Sequence, residues 1–186
     1  VGSVILAGVL LKLGVYGLVR FSFTLFPYGT SYFMPLIYVI SLISILYSSL
    51  TTLRQIDLKR IVAYSSVAHM NFSMLGLFSN TLQGLVGGVF LSISHGFVAS
   101  ALFLCIGVLY DRHHTRLLKY YSGLTVVMPV FSIIFLFFSL SNLGLPGTSS
   151  FVGELLILLG SFWQNSLVSI LGTCGIFFGS LYSIWL

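Results

Sequence analysis

The amino-acid sequence predicts an all-α polytopic transmembrane helix bundle of about six spans, one of them a broken, discontinuous helix. Of the 186 residues, 58% are hydrophobic and only 6% are charged, whereas a soluble domain is about 25% charged. Apart from Lys12, Arg20 and Glu154, every charged residue lies in the short segments 54–60 and 111–120. The apolar stretches between them have the length of membrane spans, about 20 residues each, and basic residues at span ends are typical of membrane-edge loops rather than nucleic-acid binding.

The spans follow one another between short polar segments. The predicted spans are 1–26, 33–53, 61–79, 84–110, 124–162 and 167–186. Segment 124–162 is too long for one straight helix, and we expect a break at 142–148, where Gly144, Pro146 and Gly147 disfavour a continuous helix. Because both ends of the chain lie inside apolar runs, we expect it to be part of a longer protein.

Counting alternate crossings places both basic loops, 54–60 and 111–120, on the same side of the membrane. The turns expected on the opposite side are 27–32, 80–83 and 164–166. These turns carry no charge, so the arrangement satisfies the positive-inside rule. Arg20 lies near the uncharged end of its span and can reach the headgroups. Lys12 and Glu154 then remain as charges inside the apolar interior.

Four titratable residues are predicted to share one layer near the middle of the bilayer. With a rise of about 1.5 Å per residue, Lys12 lies roughly 20 Å inside its span. His69, His95 and Glu154 each lie about ten residues from a span end, near the centre of a hydrocarbon core of about 30 Å. A charge at that depth costs roughly 2.5–3.5 kcal/mol, which favours a functional role.

Histidine, lysine and carboxylate together supply the groups that a proton path through lipid requires. Histidine titrates near pH 6.5, and burial moves lysines and carboxylic acids toward neutral pH, while a neighbour of opposite charge reverses the shift. The sequence therefore predicts proton transfer through Lys12, His69, His95 and Glu154.

The predicted helix break supports a site near Glu154. Broken helices inside membranes are tolerated where they are buried or line water, and in transporters they mark ion sites. Thr148, Ser149 and Ser150 are each suitable to cap the second half-helix. Glu154 would then lie about one turn beyond the cap, close to Gly144, Pro146 and Gly147.

Each of the four residues taken alone also has a structural interpretation. Lys12 and Glu154 are compatible with helix–helix ion pairs, and His69 and His95 with hydrogen bonds to a neighbouring helix. The sequence has no phosphate-binding glycine loop, nucleophile triad or cysteine ligand cluster. We therefore expect no redox centre, cofactor site or metal site in this chain.

Several motifs carry a resemblance to a known family. They are ILAGVLLKLGVYG at 5–17, DLKRIVAYSSVAHM at 57–70, SHG at 94–96 and LGLPGTSSFVGEL at 143–155. In order and spacing they resemble the antiporter-like proton-pumping subunits of NADH:ubiquinone oxidoreductase, respiratory complex I. Related subunits 2 and 5 usually carry lysine at the position of Glu154, so the resemblance favours the C-terminal part of subunit 4.

The resemblance implies a role for each residue. Lys12 matches a midmembrane lysine that links two half-channels, and His69 and His95 match histidines on the hydrophilic axis. Glu154 matches the acid on the broken helix, which connects toward the exit side or a neighbouring subunit. Residues 1–186 would form a partial antiporter-like proton-translocating membrane domain. About seven upstream helices are missing and would come from a separate chain if the gene is split.

The expected function is that of a proton-translocating subunit of NADH:ubiquinone reductase, driven by NADH oxidation and quinone reduction elsewhere in the complex. NADH, FMN, iron–sulfur clusters and ubiquinone are expected in other subunits. The expected partners are other membrane-arm subunits and lipids, but no nucleic acid. The expected location is the mitochondrial inner membrane as a multi-pass protein, with a bacterial plasma membrane as the alternative.

Two alternative functions remain open from the sequence. The first is a subunit of a multi-subunit cation/proton antiporter, which would respond to sodium gradients without depending on NADH. The second is a non-pumping structural scaffold of the membrane arm, which would tolerate the loss of Lys12 and Glu154.

Overall fold

The computed structural model describes residues 2–186, and within that range the regular structure is helical apart from one isolated β-bridge. The eight helices are α1 (Gly2–Leu25), α2 (Pro27–Leu53), α3 (Leu58–Leu77), α4 (Leu82–His113), α5 (Leu124–Val127), α6 (Pro129–Leu143), α7 (Ser149–Gln164) and α8 (Ser166–Trp185). A short 3-10 turn covers Leu118–Tyr121. The predicted all-α bundle is therefore confirmed.

Four helices, α1, α2, α4 and α8, are long and apolar enough to cross a membrane by length and composition, and α6 is a shorter apolar helix. The other two predicted spans correspond to α3 and to the pair α6 and α7. Helix α3 packs against α2, α4 and α7. Its buried hydroxyls at Ser65, Ser66 and Ser73 each donate a hydrogen bond to the carbonyl three residues earlier, which satisfies them without water.

Some predicted boundaries are wrong. The turn expected at 27–32 is helical, because α2 begins at Pro27 and Phe26 alone separates it from α1. Proline suits the first helical position, since its ring presets φ and its missing N–H needs no partner there. The loop expected at 111–120 begins inside α4, which continues to His113. The break expected at 142–148 is confirmed, because α6 ends at Leu143 and α7 begins at Ser149.

The two basic loops meet at one end of the bundle. The Leu58 N–H donates to the Arg116 carbonyl at 3.0 Å, and the Leu118 N–H donates to the Ile56 carbonyl at 3.1 Å. These two bonds flank the antiparallel bridge between Asp57 and Leu117. The prediction that both loops lie on the same side is therefore confirmed.

Helix α4 lies at the centre of the bundle, where it packs against α1, α3, α6 and α7. Its contact with α7 is close because glycines occupy the interface. A Cβ added at Gly87 would lie 2.7 Å from the Leu156 Cβ and 2.9 Å from the Ile157 backbone nitrogen. Small residues of this kind let helix backbones approach each other in membranes. This contact fixes α7, and with it Glu154, against α4.

We predict that Gly87→Ala destabilises the bundle by about 1–3 kcal/mol, because the added methyl overpacks the contact between α4 and α7. Gly107→Ala is the matched control on the same helix, since nothing lies within 4 Å of its Cβ position. The control should be neutral or stabilising, by up to about 1 kcal/mol, through helix propensity. Unfolding in mild detergent measures both variants, and equal stability would contradict the packing explanation.

Candidate functional site

The structure brings the four predicted site residues into one row across four helices. Lys12 lies on α1, His95 on α4, His69 on α3 and Glu154 on α7. The Lys12 Nζ lies 3.0 Å from the His95 Nδ1. The rings of His95 and His69 have centroids 5.6 Å apart, and the His69 Nδ1 lies 3.4 Å from the Glu154 Oε1. The role of these residues in proton transfer remains a prediction.

Lys12, the first residue of the row, lies on the irregular helix α1. Two π-helical segments, Leu6–Leu10 and Leu18–Ser22, flank the α-helical segment Leu11–Gly17 that carries it. The Lys12 Nζ also donates to the Ala7 carbonyl at 2.5 Å, an oxygen within the first π segment. Such π segments are rare and frequently occur at functional sites.

A glycine on α4 makes room for the lysine. A Cβ added at Gly96 would lie 3.1 Å from the Lys12 Cε and 3.3 Å from the Gly8 carbonyl oxygen. Gly96 follows His95 directly in the sequence. The same turn of α4 therefore accommodates the lysine stem and presents the imidazole to its ammonium group.

His95 is the most enclosed member of the row, with only 3% of its surface exposed. A protonated Lys12 has only donors, so the His95 Nδ1 accepts its hydrogen bond and the proton of the neutral ring lies on Nε2. That Nε2 has no hydrogen-bond partner among residues 2–186. Buried donors of this kind are uncommon in folded proteins, and this one is available for proton exchange.

His69 has a polar group on each side of its ring. Its Nδ1 faces the Glu154 carboxylate at 3.4 Å. Its Nε2 faces the hydroxyl of Tyr182, on α8, at 3.5 Å. His69 and Glu154 are both largely shielded, with 12% and 8% of their side-chain surface exposed. Their interaction is therefore little screened by solvent.

The helix break packs against the Glu154 carboxylate on the side away from His69. Gly144 ends α6 with φ +77°, and a Cβ there would lie 2.5 Å from the Glu154 Oε2. Thr148 is the N-cap of α7, so Glu154 lies in the second turn, as the sequence predicts. Of the other break residues, Gly147 has φ +101° and nothing within 4 Å of its Cβ position, and Pro146 lies between the two glycines.

A small cavity adjoins His69 and Glu154. Its volume is about 20 Å³, which is room for one water molecule. The polar side chains that line it are His69, Glu154, Asn142 and Tyr182. Sequence reasoning placed Asn142 in the helix break without a role, and it missed Tyr182. The available signal was a buried tyrosine in an apolar span, which does not stand out among ten tyrosines.

The arrangement is suited to moving protons between helices. Lysine, imidazole and carboxylate each bind and release a proton, and two of the three steps lie within or close to hydrogen-bond reach. Residues 2–186 contain no group of three or more His, Cys, Asp or Glu side chains that could hold a metal ion.

Comparison with known proteins relates the chain to transmembrane domains of NADH:quinone oxidoreductases and antiporters. A family model described as NADH:quinone oxidoreductase/Mrp antiporter, TM, matches residues 1–182. The chain is 63% identical to NADH-ubiquinone oxidoreductase chain 4 of Marchantia polymorpha and 62% identical to that of Triticum aestivum, in each case over 185 residues and 100% of this chain.

The fold also matches a solved structure, a chain of respiratory complex I from Thermus thermophilus with bound NADH. The TM-score is 0.90 at 32% identity, over 94% of this chain and 37% of that chain. The chain likewise spans 37% of the length of the two plant relatives. Since the family match covers all but the last four residues of the sequence, the chain belongs to the family of NADH:quinone oxidoreductase/Mrp antiporter transmembrane domains.

Proposed function

We propose that this chain forms part of a proton-translocating membrane subunit of NADH:ubiquinone oxidoreductase, and that Lys12, His95, His69 and Glu154 form part of its proton path. The observation that carries the proposal is the row itself, in which four titratable side chains from four helices meet inside an apolar bundle. The relatives named NADH-ubiquinone oxidoreductase chain 4 support the assignment to that enzyme.

Each step of the proposed path has a donor and an acceptor. The Lys12 ammonium gives a proton to the His95 Nδ1 over 3.0 Å, and His95 releases a proton from Nε2. His69 takes up a proton on the side of His95 and exchanges one with Glu154 over 3.4 Å. The middle step joins two rings whose centroids are 5.6 Å apart, so a ring rotation or a bridging water completes it.

Neighbouring groups of the row interact electrostatically, so a change in their spacing that is driven from other subunits would change their proton affinities. At separations of 3.0 and 3.4 Å, protonation of one group changes the proton affinity of the next. Each 1.4 kcal/mol of altered interaction changes that affinity about tenfold. A modest helix displacement, driven by NADH oxidation and quinone reduction in other subunits, is therefore sufficient to load and unload the row.

The remainder of the proposed protein lies outside this chain. We assign NADH, FMN, iron–sulfur clusters and ubiquinone to other subunits, and the missing half of the path to the part of the subunit that this chain does not cover. Other membrane-arm subunits and lipids are its proposed partners, and the mitochondrial inner membrane is its proposed location. The curated relatives carry the name of the ubiquinone enzyme, which favours this assignment over a separate cation/proton antiporter.

Replacing either end of the row should abolish most of the coupled proton transport. We predict that Lys12→Met and Glu154→Gln each lower NADH-driven proton uptake into membrane vesicles about tenfold or more, because each removes one exchangeable proton with little change in volume. Proton uptake per assembled complex is the measurement. The control is Lys119→Met, which removes a lysine from the basic loop 111–120. If both row variants pump as the control does, the chain acts as a scaffold.

The backbone at the helix break should also matter for transport. We predict that Gly144→Ala lowers proton uptake severalfold, because the methyl group would push the Glu154 carboxylate away from the break. Gly147→Ala is the matched control, since it also carries positive φ but has open space around its Cβ position. Both variants bear backbone strain of about 1–2 kcal/mol. Equal loss of uptake in both would show that strain alone is responsible.

A further inference from the structure

Tyr182 is a fully enclosed tyrosine on α8, a helix on which the sequence indicated no site residue. Only 1% of its surface is exposed. Its hydroxyl lies 3.5 Å from the His69 Nε2, and within residues 2–186 His69 is its one hydrogen-bond partner. A buried phenol normally has a hydrogen-bond partner. Here that partner is a titratable ring rather than the backbone.

The partner on the opposite side of the imidazole determines what this contact does. The Glu154 carboxylate accepts hydrogen bonds and, when ionised, has none to donate. The His69 Nδ1, 3.4 Å from the Glu154 Oε1, therefore faces an acceptor and carries the proton of the neutral ring. The neutral ring then has its lone pair on Nε2, where the Tyr182 hydroxyl is available to donate. One tautomer of His69 satisfies both neighbours. The other leaves two acceptors facing each other at Nδ1, and because the Tyr182 oxygen would then accept from Nε2–H, it leaves the hydroxyl hydrogen without an acceptor among residues 2–186.

The distance leaves room for a bridging molecule. A separation of 3.5 Å is at the outer limit of a direct hydrogen bond. The adjoining cavity of about 20 Å³ has Tyr182, His69, Asn142 and Glu154 on its walls, and its volume matches one water. A water there would join the same hydroxyl, ring and carboxylate, because water-mediated bonds are nearly as favourable as direct ones.

A second buried tyrosine shows what a purely structural hydroxyl does in this fold. Tyr38, on α2, is 5% exposed, and its hydroxyl donates to the Phe78 backbone carbonyl at 3.0 Å. That bond joins α2 to the end of α3 and involves none of the four row residues. The two tyrosines therefore share burial and a single hydroxyl contact and differ in whether that contact reaches the row.

We propose that Tyr182 is a positioning residue of the proton path, whose hydroxyl holds His69 in the tautomer that presents Nδ1–H to Glu154. The inference rests on the proposed function of the row. Tyr182 itself gives up no proton in this role, since its hydroxyl donates a hydrogen bond and keeps its hydrogen. It sets which nitrogen of His69 accepts a proton from the direction of His95 and which one exchanges with Glu154.

The test replaces one hydroxyl at a time in the assembled complex with the full-length subunit. Tyr182→Phe removes the contact to His69 and keeps the ring, and Tyr38→Phe is the matched control. We expect Tyr182→Phe to slow NADH-driven proton uptake per assembled complex about fivefold. We also expect it to raise the ratio of rates in H2O and D2O, because proton transfer through His69 becomes the slower step. Tyr38→Phe should change neither quantity by more than about twofold.

A third variant separates positioning from packing. Tyr182→His keeps a hydrogen-bonding ring at this position and should retain more of the uptake rate than Tyr182→Phe. The inference is overturned if Tyr182→Phe pumps at the wild-type rate, if its rate falls with an unchanged isotope ratio, or if Tyr182→His is slower still.

Lys12→Met and Glu154→Gln are measured in the same membranes. If they pump slowly while Tyr182→Phe does not, only the role of Tyr182 fails, and if they too pump normally the proposed function fails.

Discussion

Polar side chains in an apolar bundle must find partners inside the protein, and this requirement organises the interior of the chain. Lys12, His95, His69 and Glu154 meet one another because bulk water does not solvate charged and polar groups inside an apolar bundle. Their meeting depends in turn on how closely the helices approach. Gly96 leaves space for the Lys12 stem, and Gly87 lets α7 lie against α4. The hydrophobic contacts of the bundle therefore serve to hold a short polar row together.

The interrupted helix is the second consequence of the same requirement. A continuous helix would satisfy its own backbone but would leave no space beside the Glu154 carboxylate. At Gly144 the chain adopts positive φ, and the absence of a side chain lets the carboxylate lie against the backbone. The freed backbone groups are supported locally, since the Ser150 hydroxyl donates to the Ser141 carbonyl across the break. The break thus creates the environment of the acid instead of only tolerating it.

Much of this arrangement is predictable from the sequence, because the residues that indicate it differ chemically from the apolar residues around them. Lys12 and Glu154 stand out as charges in apolar runs, and Gly144 and Pro146 stand out as helix breakers. The placement of the two basic loops on one side follows from counting crossings, and the structure adds that their backbones pair. These features depend on local composition and on the thickness of a bilayer, and both can be read without knowing how the helices pack.

The remaining features depend on packing. His69 precedes His95 in the chain, yet His95 contacts Lys12 and His69 contacts Glu154, and this order follows from the placement of α3 and α4. Tyr182 resembles any aromatic residue of an apolar span until α8 is placed beside α3. The two π segments of α1 likewise reflect backbone geometry that residue composition does not encode. The helical start at Pro27, in contrast, agrees with the preference of proline for the first helical position.

Each helix that contributes to the row contributes one member, so every distance along it is a distance between two helices. A lateral shift of α1 by about 1 Å would stretch the Lys12–His95 contact from 3.0 Å past the limit of a hydrogen bond, while His69 and Glu154 kept their spacing. Displacing a helix at either end of the row, α1 or α7, as a rigid body therefore changes one link and leaves the others unchanged.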